Sequence, residues 1–147
     1  MGKLIAGVQL YTLREFCKTP KDIEETFKKI RKMGYKTVQI SGIGEIDTKE
    51  LKKLLDDNGL YACSTHTPYD RIVNEIDRVI EEHKILGCEA IICPGLPQEL
   101  RKDKEGYLKA AREFGKVIKK IKKAWQRLDK ITYKKEIEEL WKNRDRL

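Results

Sequence analysis

The sequence predicts an α/β fold of four strand–helix units, arranged as half of an eight-unit barrel of parallel strands. A unit of one strand and one helix repeats along the first part of the chain, and a glycine closes each repeated helix before the next strand begins. The chain has 147 residues, whereas a closed eight-unit barrel needs roughly 200 to 250. We therefore expect half of such a barrel.

The four predicted strands are short runs of apolar and β-branched residues. They cover 4–10, 35–40, 60–65 and 88–93. Gly34, Gly59 and Gly87 lie directly before the second, third and fourth strands, where a helix-ending glycine adopts positive φ without steric cost. Short connections with right-handed crossovers then give a parallel sheet with helices packed on it.

Capping residues mark the predicted helix starts. Thr19–Asp22 and Thr67–Asp70 each place a hydroxyl at the N-cap, a proline at the first helical position and a carboxylate at the third, and Asp47–Glu50 is a weaker version. Apolar residues then follow at spacings of three and four: Ile23, Phe27 and Ile30; Leu51, Leu54 and Leu55; Ile72, Ile76, Val79 and Ile80. Each helix is therefore expected to bury one stripe.

The repeat ends after the fourth unit. The sequence is helical in pattern over 107–128 without a closing glycine, only 131–133 resembles a strand, and 134–143 is again helical in pattern. In that last stretch four apolar residues fall on one side of a helix: Tyr133, Ile137, Leu140 and Trp141. We assign 1–128 to the half-barrel and 129–147 to a carboxyl-terminal helix that packs on the half-barrel or on a partner.

The net charge of +8, from 32 Lys and Arg against 24 Asp and Glu, is compatible with an anionic partner such as a sugar phosphate or nucleic acid. Five lysines crowd one predicted helix: Lys116, Lys119, Lys120, Lys122 and Lys123. They alternate with apolar residues at helical spacing, which is typical of a solvated face around a buried stripe. We therefore favour a solvated face over nucleic-acid binding.

Composition and cysteine spacing indicate a cytoplasmic protein. No stretch approaches the roughly 18 apolar residues that a membrane span requires, and the first residues lack the features of a secretory signal. The four cysteines have neither CxxC spacing nor neighbouring histidines, which favours buried thiols in a reducing compartment over a zinc site or disulfides. We expect no membrane association.

Ligands of parallel α/β folds bind beyond the carboxyl ends of the strands. The residues that follow the four strands are Gln9, Tyr11 and Arg14; Ser41, Gly42 and Gly44; His66, Thr67 and Tyr69; and Pro94, Gly95 and Glu99. Hydrogen-bonding side chains and glycines dominate this set. These residues at the strand ends are therefore expected to suit a polyol ligand.

Among these residues His66 is the candidate catalytic group, because an imidazole at a strand end can relay a proton, bind a metal or donate to a sugar hydroxyl. The alternative is that His66 only satisfies local hydrogen bonds. Glu99 follows a rigid turn that either aims its carboxylate inward or leaves it exposed, and His83, inside the third helix, is expected to be structural. Gly42 and Gly44 are interpreted as turn residues rather than a phosphate loop.

Four segments, taken in order, resemble the amino-terminal half of the sugar phosphate isomerase/epimerase family, the xylose isomerase-like TIM barrels: Gly7–Arg14, Val38–Gly42, Ser64–Tyr69 and Pro94–Pro97. The resemblance covers about 3–123. It implies a TIM-barrel fold and a reaction in which a divalent metal, such as manganese or magnesium, and carboxylates move a proton between sugar carbons. It also implies that Gln9, Tyr11 and His66 line the sugar pocket.

The predicted substrate-binding residues are Gln9, Tyr11, Arg14, Ser41, His66, Tyr69 and Glu99. The resemblance places the family's metal ligands mainly on strands five to eight, which this sequence does not supply. We therefore expect a truncated or engineered, catalytically incomplete half-barrel without a metal or cofactor of its own.

Two arrangements would hide the open edges and inner face of a half-barrel. Either two copies form a homodimer through their exposed strand edges, or the carboxyl-terminal helices cover the surface of one copy. Two other functions stay open. One is an active isomerase or epimerase whose site is assembled across a dimer, with a metal held by groups such as His66 and Glu99. The other is a non-enzymatic binding or scaffold module that uses the basic helix.

Overall fold

The computed structural model describes residues 6–128, so the predictions for 129–147 lie outside the described residues. The strands are β1 (Gly7–Gln9), β2 (Thr37–Ile40), β3 (Tyr61–His66) and β4 (Ile91–Ile92). The helices are α1 (Pro20–Lys32), α2 (Thr48–Asp57), α3 (Tyr69–Asn74), α4 (Ile76–Leu86) and α5 (Lys104–Leu128), with 3-10 helices at Leu10–Phe16 and Gln98–Arg101. The chain forms two compact units, of which the first ends at Pro97 and the second begins at Gln98.

The first unit contains one sheet in which all neighbouring strands are parallel. The strand order is β1-β2-β3-β4, so each strand pairs with the next one along the chain. Val8 lies opposite Val38, Val38 lies opposite Ala62, and Thr65 lies opposite Ile91. Four parallel strands alternating with helices confirm the predicted fold class.

One face of the sheet is covered by helices and forms the hydrophobic core. Val38 and Ala62 project from β2 and β3 into a buried cluster that includes Phe27 of α1 and Leu55 of α2. Phe27 is completely buried. The opposite face carries exposed side chains such as Gln9 and Cys63. In the first unit the predicted core stripes are therefore buried, while the other sheet face stays open.

The predicted helix caps are present at α1 and α2. The Thr19 hydroxyl accepts a hydrogen bond from the Asp22 amide while the Asp22 carboxylate accepts one from the Thr19 amide, which is a complete capping box. At α2 the Asp47 carboxylate accepts bonds from the amides of Lys49 and Glu50. The sequence analysis described this cap as the weaker one, yet Asp47 accepts two amide hydrogen bonds.

The third predicted helix is broken in two, which is a correction to the sequence analysis. α3 ends at Asn74 and α4 begins at Ile76, with Glu75 outside helical geometry between them. The break lets Arg71 of α3 donate to Glu82 of α4 at 2.9 Å, whereas residues so far apart in one straight helix lie about 16 Å apart. Thr67 is also not the N-cap, because Pro68 occupies that position.

The second unit consists of the 3-10 helix Gln98–Arg101 and the long helix α5. The Asp103 carboxylate caps α5 by accepting a hydrogen bond from the Gly106 amide at 2.8 Å. Gly106 is needed at this position because an added Cβ would lie 2.5 Å from the Leu100 carbonyl oxygen. The 3-10 helix and the first turn of α5 are therefore held together by a close backbone approach.

Within the described part of the chain, no helix combines the length and the apolar character that crossing a bilayer demands.

Candidate functional site

Three polar side chains form a connected line across the open face of the sheet. Gln9 of β1 donates from its amide nitrogen to Oε1 of Gln39 on β2 at 2.7 Å, and Gln39 donates from its own amide nitrogen to Oγ of Ser64 on β3 at 3.0 Å. We call Gln9, Gln39 and Ser64 the amide row. Each amide keeps a second N–H, and the buried Ser64 hydroxyl also contacts the Cys63 thiol at 3.9 Å, with either group able to donate. The row can therefore both donate to and accept from a bound hydroxylated molecule.

The sheet register places these three residues side by side. Gln9 lies opposite Gln39, and Gln39 lies opposite Ser64 because the pairing shifts by one residue after Val38. Cys63 is the residue left over by this bulge, and its thiol donates to the Val38 carbonyl. Without the shift Gln39 would face Cys63 instead of Ser64. The bulge therefore completes the row.

The residues that follow β1 and β2 pack against each other beside the row. The Tyr11 amide donates to Oγ of Ser41 at 3.1 Å, and Ser41 is buried. The Arg14 guanidinium lies 4.7 Å from the centre of the Tyr11 ring and donates to the Tyr11 carbonyl at 2.9 Å. Gly42 allows this packing, since an added Cβ would lie 2.8 Å from Cδ2 of Tyr11. Tyr11 and Arg14 are thus held in fixed positions.

A cleft of about 760 Å³ opens between α2 and α4 at the carboxyl ends of β2 and β3. We call it the outer cleft. His66, the last residue of β3, lines it and is half-buried. Asp47 and Glu50 line the wall formed by α2, and Arg71 and Glu82 the opposite wall. His66 is therefore placed at a cavity large enough for a small ligand.

The floor of the outer cleft is a directed chain of hydrogen bonds that ends on His83. Nδ1 of His83 lies 2.7 Å from the Val79 carbonyl, which can only accept, so Nδ1 carries the proton. Burial lowers the pKa of His83 and keeps the ring neutral, so Nε2 accepts from the Thr65 hydroxyl at 2.7 Å. Thr65 has then spent its proton and accepts from Thr67 at 3.0 Å. His83 thus belongs to a buried chain of hydrogen bonds with Thr65 and Thr67.

The wall formed by α3 and α4 carries a partly buried ion-pair network. Nη2 of Arg71 donates to both carboxylate oxygens of Glu82, at 2.9 and 3.0 Å, and Nε of Arg78 donates to the same group at 3.1 Å. The hydrogen bond to Glu82 raises the pKa of Arg71. These pairs hold α4 against α3 next to the buried chain of hydroxyls.

The structure brings together four of the seven predicted substrate-binding residues: Gln9, Tyr11, Arg14 and Ser41 lie around the ends of β1 and β2. His66 lies in the outer cleft, and Tyr69, the first residue of α3, is buried. Glu99 is exposed and belongs to the 3-10 helix of the second unit. The candidate site therefore centres on β1 and β2.

The donor set in residues 6–128 does not fit a metal ion. No three side chains of His, Cys, Asp or Glu converge there in an arrangement suited to one. The groups in and beside the amide row are mainly amides, hydroxyls and a guanidinium, which favour a polar or anionic ligand over a divalent cation.

Gln39 and Ser64 were missed as site residues in the sequence analysis. A signal was available for Gln39, because Val8-Gln9-Leu10 and Val38-Gln39-Ile40 repeat the same pattern at equivalent strand positions. A polar residue between apolar neighbours on paired strands faces the side opposite the core. Ser64 had no comparable signal, since its place depends on the bulge.

The fold is similar to that of solved structures of sugar-converting enzymes. A sugar phosphate isomerase/epimerase from Parabacteroides distasonis superposes with a TM-score of 0.67 at 23% identity, over 84% of this chain and 49% of that one. An L-ribulose 3-epimerase superposes with a TM-score of 0.59 at 18% identity, over 83% of this chain and 47% of that one. The chain has the fold of half a TIM barrel.

This half-barrel spans about half the length of the solved structures that it matches. A second sugar phosphate isomerase/epimerase from Parabacteroides distasonis gives the same proportion, with 79% of this chain and 51% of that one covered at a TM-score of 0.55 and 22% identity. No protein-family profile and no curated protein matches the sequence. The resemblance inferred from the sequence is confirmed at the level of the fold.

Proposed function

We propose that the protein is a catalytically incomplete half-barrel that binds a sugar on the open face of its sheet. The observation that carries the proposal is the amide row, in which Gln9, Gln39 and Ser64 are joined by hydrogen bonds of 2.7 and 3.0 Å. Adjacent groups that both donate and accept match the adjacent hydroxyls of a sugar. Their mutual bonds hold the side chains in place before the ligand arrives, which lowers the entropic cost of binding.

The Tyr11 ring supports the same function from the end of β1. The ring is half exposed, Arg14 lies 4.7 Å from its centre, and Ser41 accepts a hydrogen bond from the Tyr11 backbone amide. An exposed aromatic face beside polar groups suits the C–H face of a sugar ring, while the Arg14 guanidinium suits an anionic substituent such as a phosphate. A sugar or a sugar phosphate is therefore the proposed ligand.

We propose that this half-barrel binds a sugar but does not itself catalyse proton transfer between sugar carbons. Moving a proton between sugar carbons needs a base and a group that stabilises the resulting enediolate. Residues 6–128 do not bring together a set of metal ligands, and His66 lies in the outer cleft. A divalent metal would belong to the complete barrel, so the reaction is assigned to that larger assembly.

Calorimetric titration with L-ribulose, the sugar named in the similar epimerase, tests the binding function. Gln39→Leu removes the central amide and is expected to weaken binding about tenfold, the effect of losing one to two hydrogen bonds. Gln98→Leu, at an exposed glutamine of the second unit, is the matched control and should bind normally. Equal affinity of the two variants would refute a role for the amide row.

We also propose a homodimer that joins two half-barrels through their strand edges. The sheet has free edges at β1 and β4, since within the described residues each pairs with one neighbour only. Unpaired edge strands favour association with another strand. A second copy would supply the half that the similar full-length barrels contain in one chain.

An active isomerase assembled across such a dimer is the second candidate function, supported by the similarity of the fold to two sugar epimerases and isomerases. Assays of L-ribulose epimerisation with added manganese or cobalt distinguish it from the sugar-binding function. Turnover that is abolished by His66→Gln would favour the enzyme.

We propose a cytoplasmic location for the protein under both candidate functions. Its free cysteines, which include the buried Cys17 and Cys88, are in keeping with a reducing compartment.

A further inference from the structure

The floor of the outer cleft offers a hydrogen-bond acceptor to a bound molecule. Thr67 lines the cleft and is 5% exposed. Because His83 fixes the direction of the buried chain, the Thr67 hydroxyl spends its proton on Thr65, 3.0 Å away. A hydroxyl oxygen also carries two lone pairs, and no other side chain in residues 6–128 bonds to this oxygen. A ligand that reaches Thr67 must therefore donate.

The wall formed by α2 adds negative charge to the cleft. Glu45 precedes α2 and Glu50 lies in its first turn, and both line the cleft with exposed side chains. Neither carboxylate forms an ion pair with another described residue. Asp47 lines the same wall, but its carboxylate accepts from the α2 amides. The two glutamates are therefore available to a cationic ligand.

The opposite wall has no comparable excess of positive charge. Arg71 contacts Glu75 at 3.6 Å and Glu82 at 2.9 Å, and Arg78 contacts the same two carboxylates at 3.7 and 3.1 Å. The two guanidinium groups and the two carboxylates neutralise each other. A bound anion would have to displace a glutamate from this network, so the cleft favours a cation over an anion.

Apolar side chains between the walls complete the cleft. Ile43 and Ile46 line it and are half-buried, with the core behind them. The volume of about 760 Å³ is typical of small-molecule sites.

We propose that the outer cleft binds a small organic ammonium ion. An N–H of the ligand donates to the Thr67 oxygen, its charge lies near Glu50, and its apolar part packs on Ile43 and Ile46. A bare metal ion fits less well, since no three metal-ligating side chains converge within residues 6–128. The inference does not depend on the proposed sugar-binding function, which rests on the amide row.

Nuclear magnetic resonance titrations with three ligands that share a benzene ring test the charge preference. At neutral pH, benzylammonium should cause saturable shifts of the Leu51 and Thr67 amide signals at millimolar concentrations. Benzyl alcohol, which donates but carries no charge, should bind more weakly, and benzoate should not bind. The absence of saturable shifts with benzylammonium, or equal affinity for benzoate, overturns the proposal.

Threonine variants test the acceptor on the floor. Thr67→Val removes it and should weaken benzylammonium binding about tenfold, whereas Thr67→Ser keeps the hydroxyl and should bind nearly as the unmodified protein does. Thr26→Val is the matched control, because Thr26 is also buried and donates to the Phe16 carbonyl at 2.6 Å, outside the cleft. If Thr67→Val and Thr26→Val bind equally well, the proposed contact with Thr67 is wrong.

A surface variant tests the carboxylate without disturbing the buried chain, and it decides the matter if Thr67→Val does not fold. Glu50→Gln should weaken benzylammonium binding about two- to fivefold, the effect of one exposed charge. Glu81→Gln, at an exposed glutamate of α4 outside the cleft, should have no effect. Equal affinities of these two variants contradict the proposed position of the ammonium group.

Discussion

At the scale of single residues, Gly42 combines a left-handed backbone with a close contact. Its φ of +65° matches the +66° of Gly87, but only Gly42 has a neighbour in the way of an added Cβ. Gly87→Ala therefore measures backbone strain alone, about 1 to 2 kcal/mol. Gly42→Ala should destabilise by more than that, because Tyr11 must also move. Urea denaturation of both variants checks the difference, and equal losses would contradict it.

His83 makes stability depend on pH. Burial lowers its pKa in the folded protein below the ordinary value of 6.5, against the opposing effects of the Val79 carbonyl and Glu82. The unfolded chain therefore takes up the proton first as the pH falls. The contribution of His83 is fully present above about pH 6.5 and is lost as the pH decreases through the folded-state pKa.

Denaturation midpoints measured at about pH 5 and pH 7.5 should reveal this loss. His83→Gln removes the titrating ring, so the difference between the two pH values should shrink. His66→Gln changes the other histidine of the chain and should retain the difference. If the two variants behave alike, the assignment to the buried chain of Thr67, Thr65 and His83 is wrong.

The position of a site residue could be predicted where it depends on the local sequence, but not where it depends on how two strands pair. Gln9, Tyr11, Arg14 and Ser41 were placed correctly at strand ends, because the end of an apolar run is visible in the sequence. Gln39 could have been found from its repeat of the Gln9 pattern, whereas Ser64 lies opposite Gln39 only through a register shift of one residue. Such a shift depends on how two strands pair and leaves no trace in either strand alone.

At the scale of elements, the capping box of α1 is expected to contribute about 1 kcal/mol. Thr19→Ala removes the side chain that accepts from the Asp22 amide and should lower the free energy of unfolding by that amount. Thr48→Ala is the matched control, since Thr48 lies inside the first turn of α2 and Asp47 is the cap there. Denaturant titrations of the two variants provide the measurement. A larger loss of stability for Thr48→Ala than for Thr19→Ala would contradict the assignment of Thr19 as a stabilising cap.

The order of helices and strands was predictable because glycine and capping residues mark their boundaries. Gly34, Gly59 and Gly87 all have positive φ, as expected for helix ends. The break at Glu75 was not predictable, since Ile72, Ile76 and Val79 keep an unbroken helical spacing across it. The break accompanies a contact between Arg71 and Glu82 that no periodicity reveals.

At the scale of the whole molecule, the proposed dimer places β4 at an interface. Ile92 of β4 and Ile85 of α4 are both 37% exposed, so they form a matched pair. Ile92→Lys puts a charge on the edge strand and should shift the protein toward the monomer, as lysine does on natural sheet edges. Ile85→Lys should leave the dimer intact. Light scattering after gel filtration measures both, and a wild-type monomer at high concentration would contradict the dimer.

The sequential order of the strands bears on how the chain folds. Each strand pairs with the next one along the chain, and between β1 and β4 only helical connections separate the partners. Paired residues are 24 to 30 positions apart in sequence, so each strand pairing closes a loop of similar, moderate length, and the entropic cost does not rise along the sheet. The sheet can therefore grow strand by strand while the ribosome is still extending the chain, each new strand adding to an edge already formed. A half-barrel of this kind needs no later segment to begin folding.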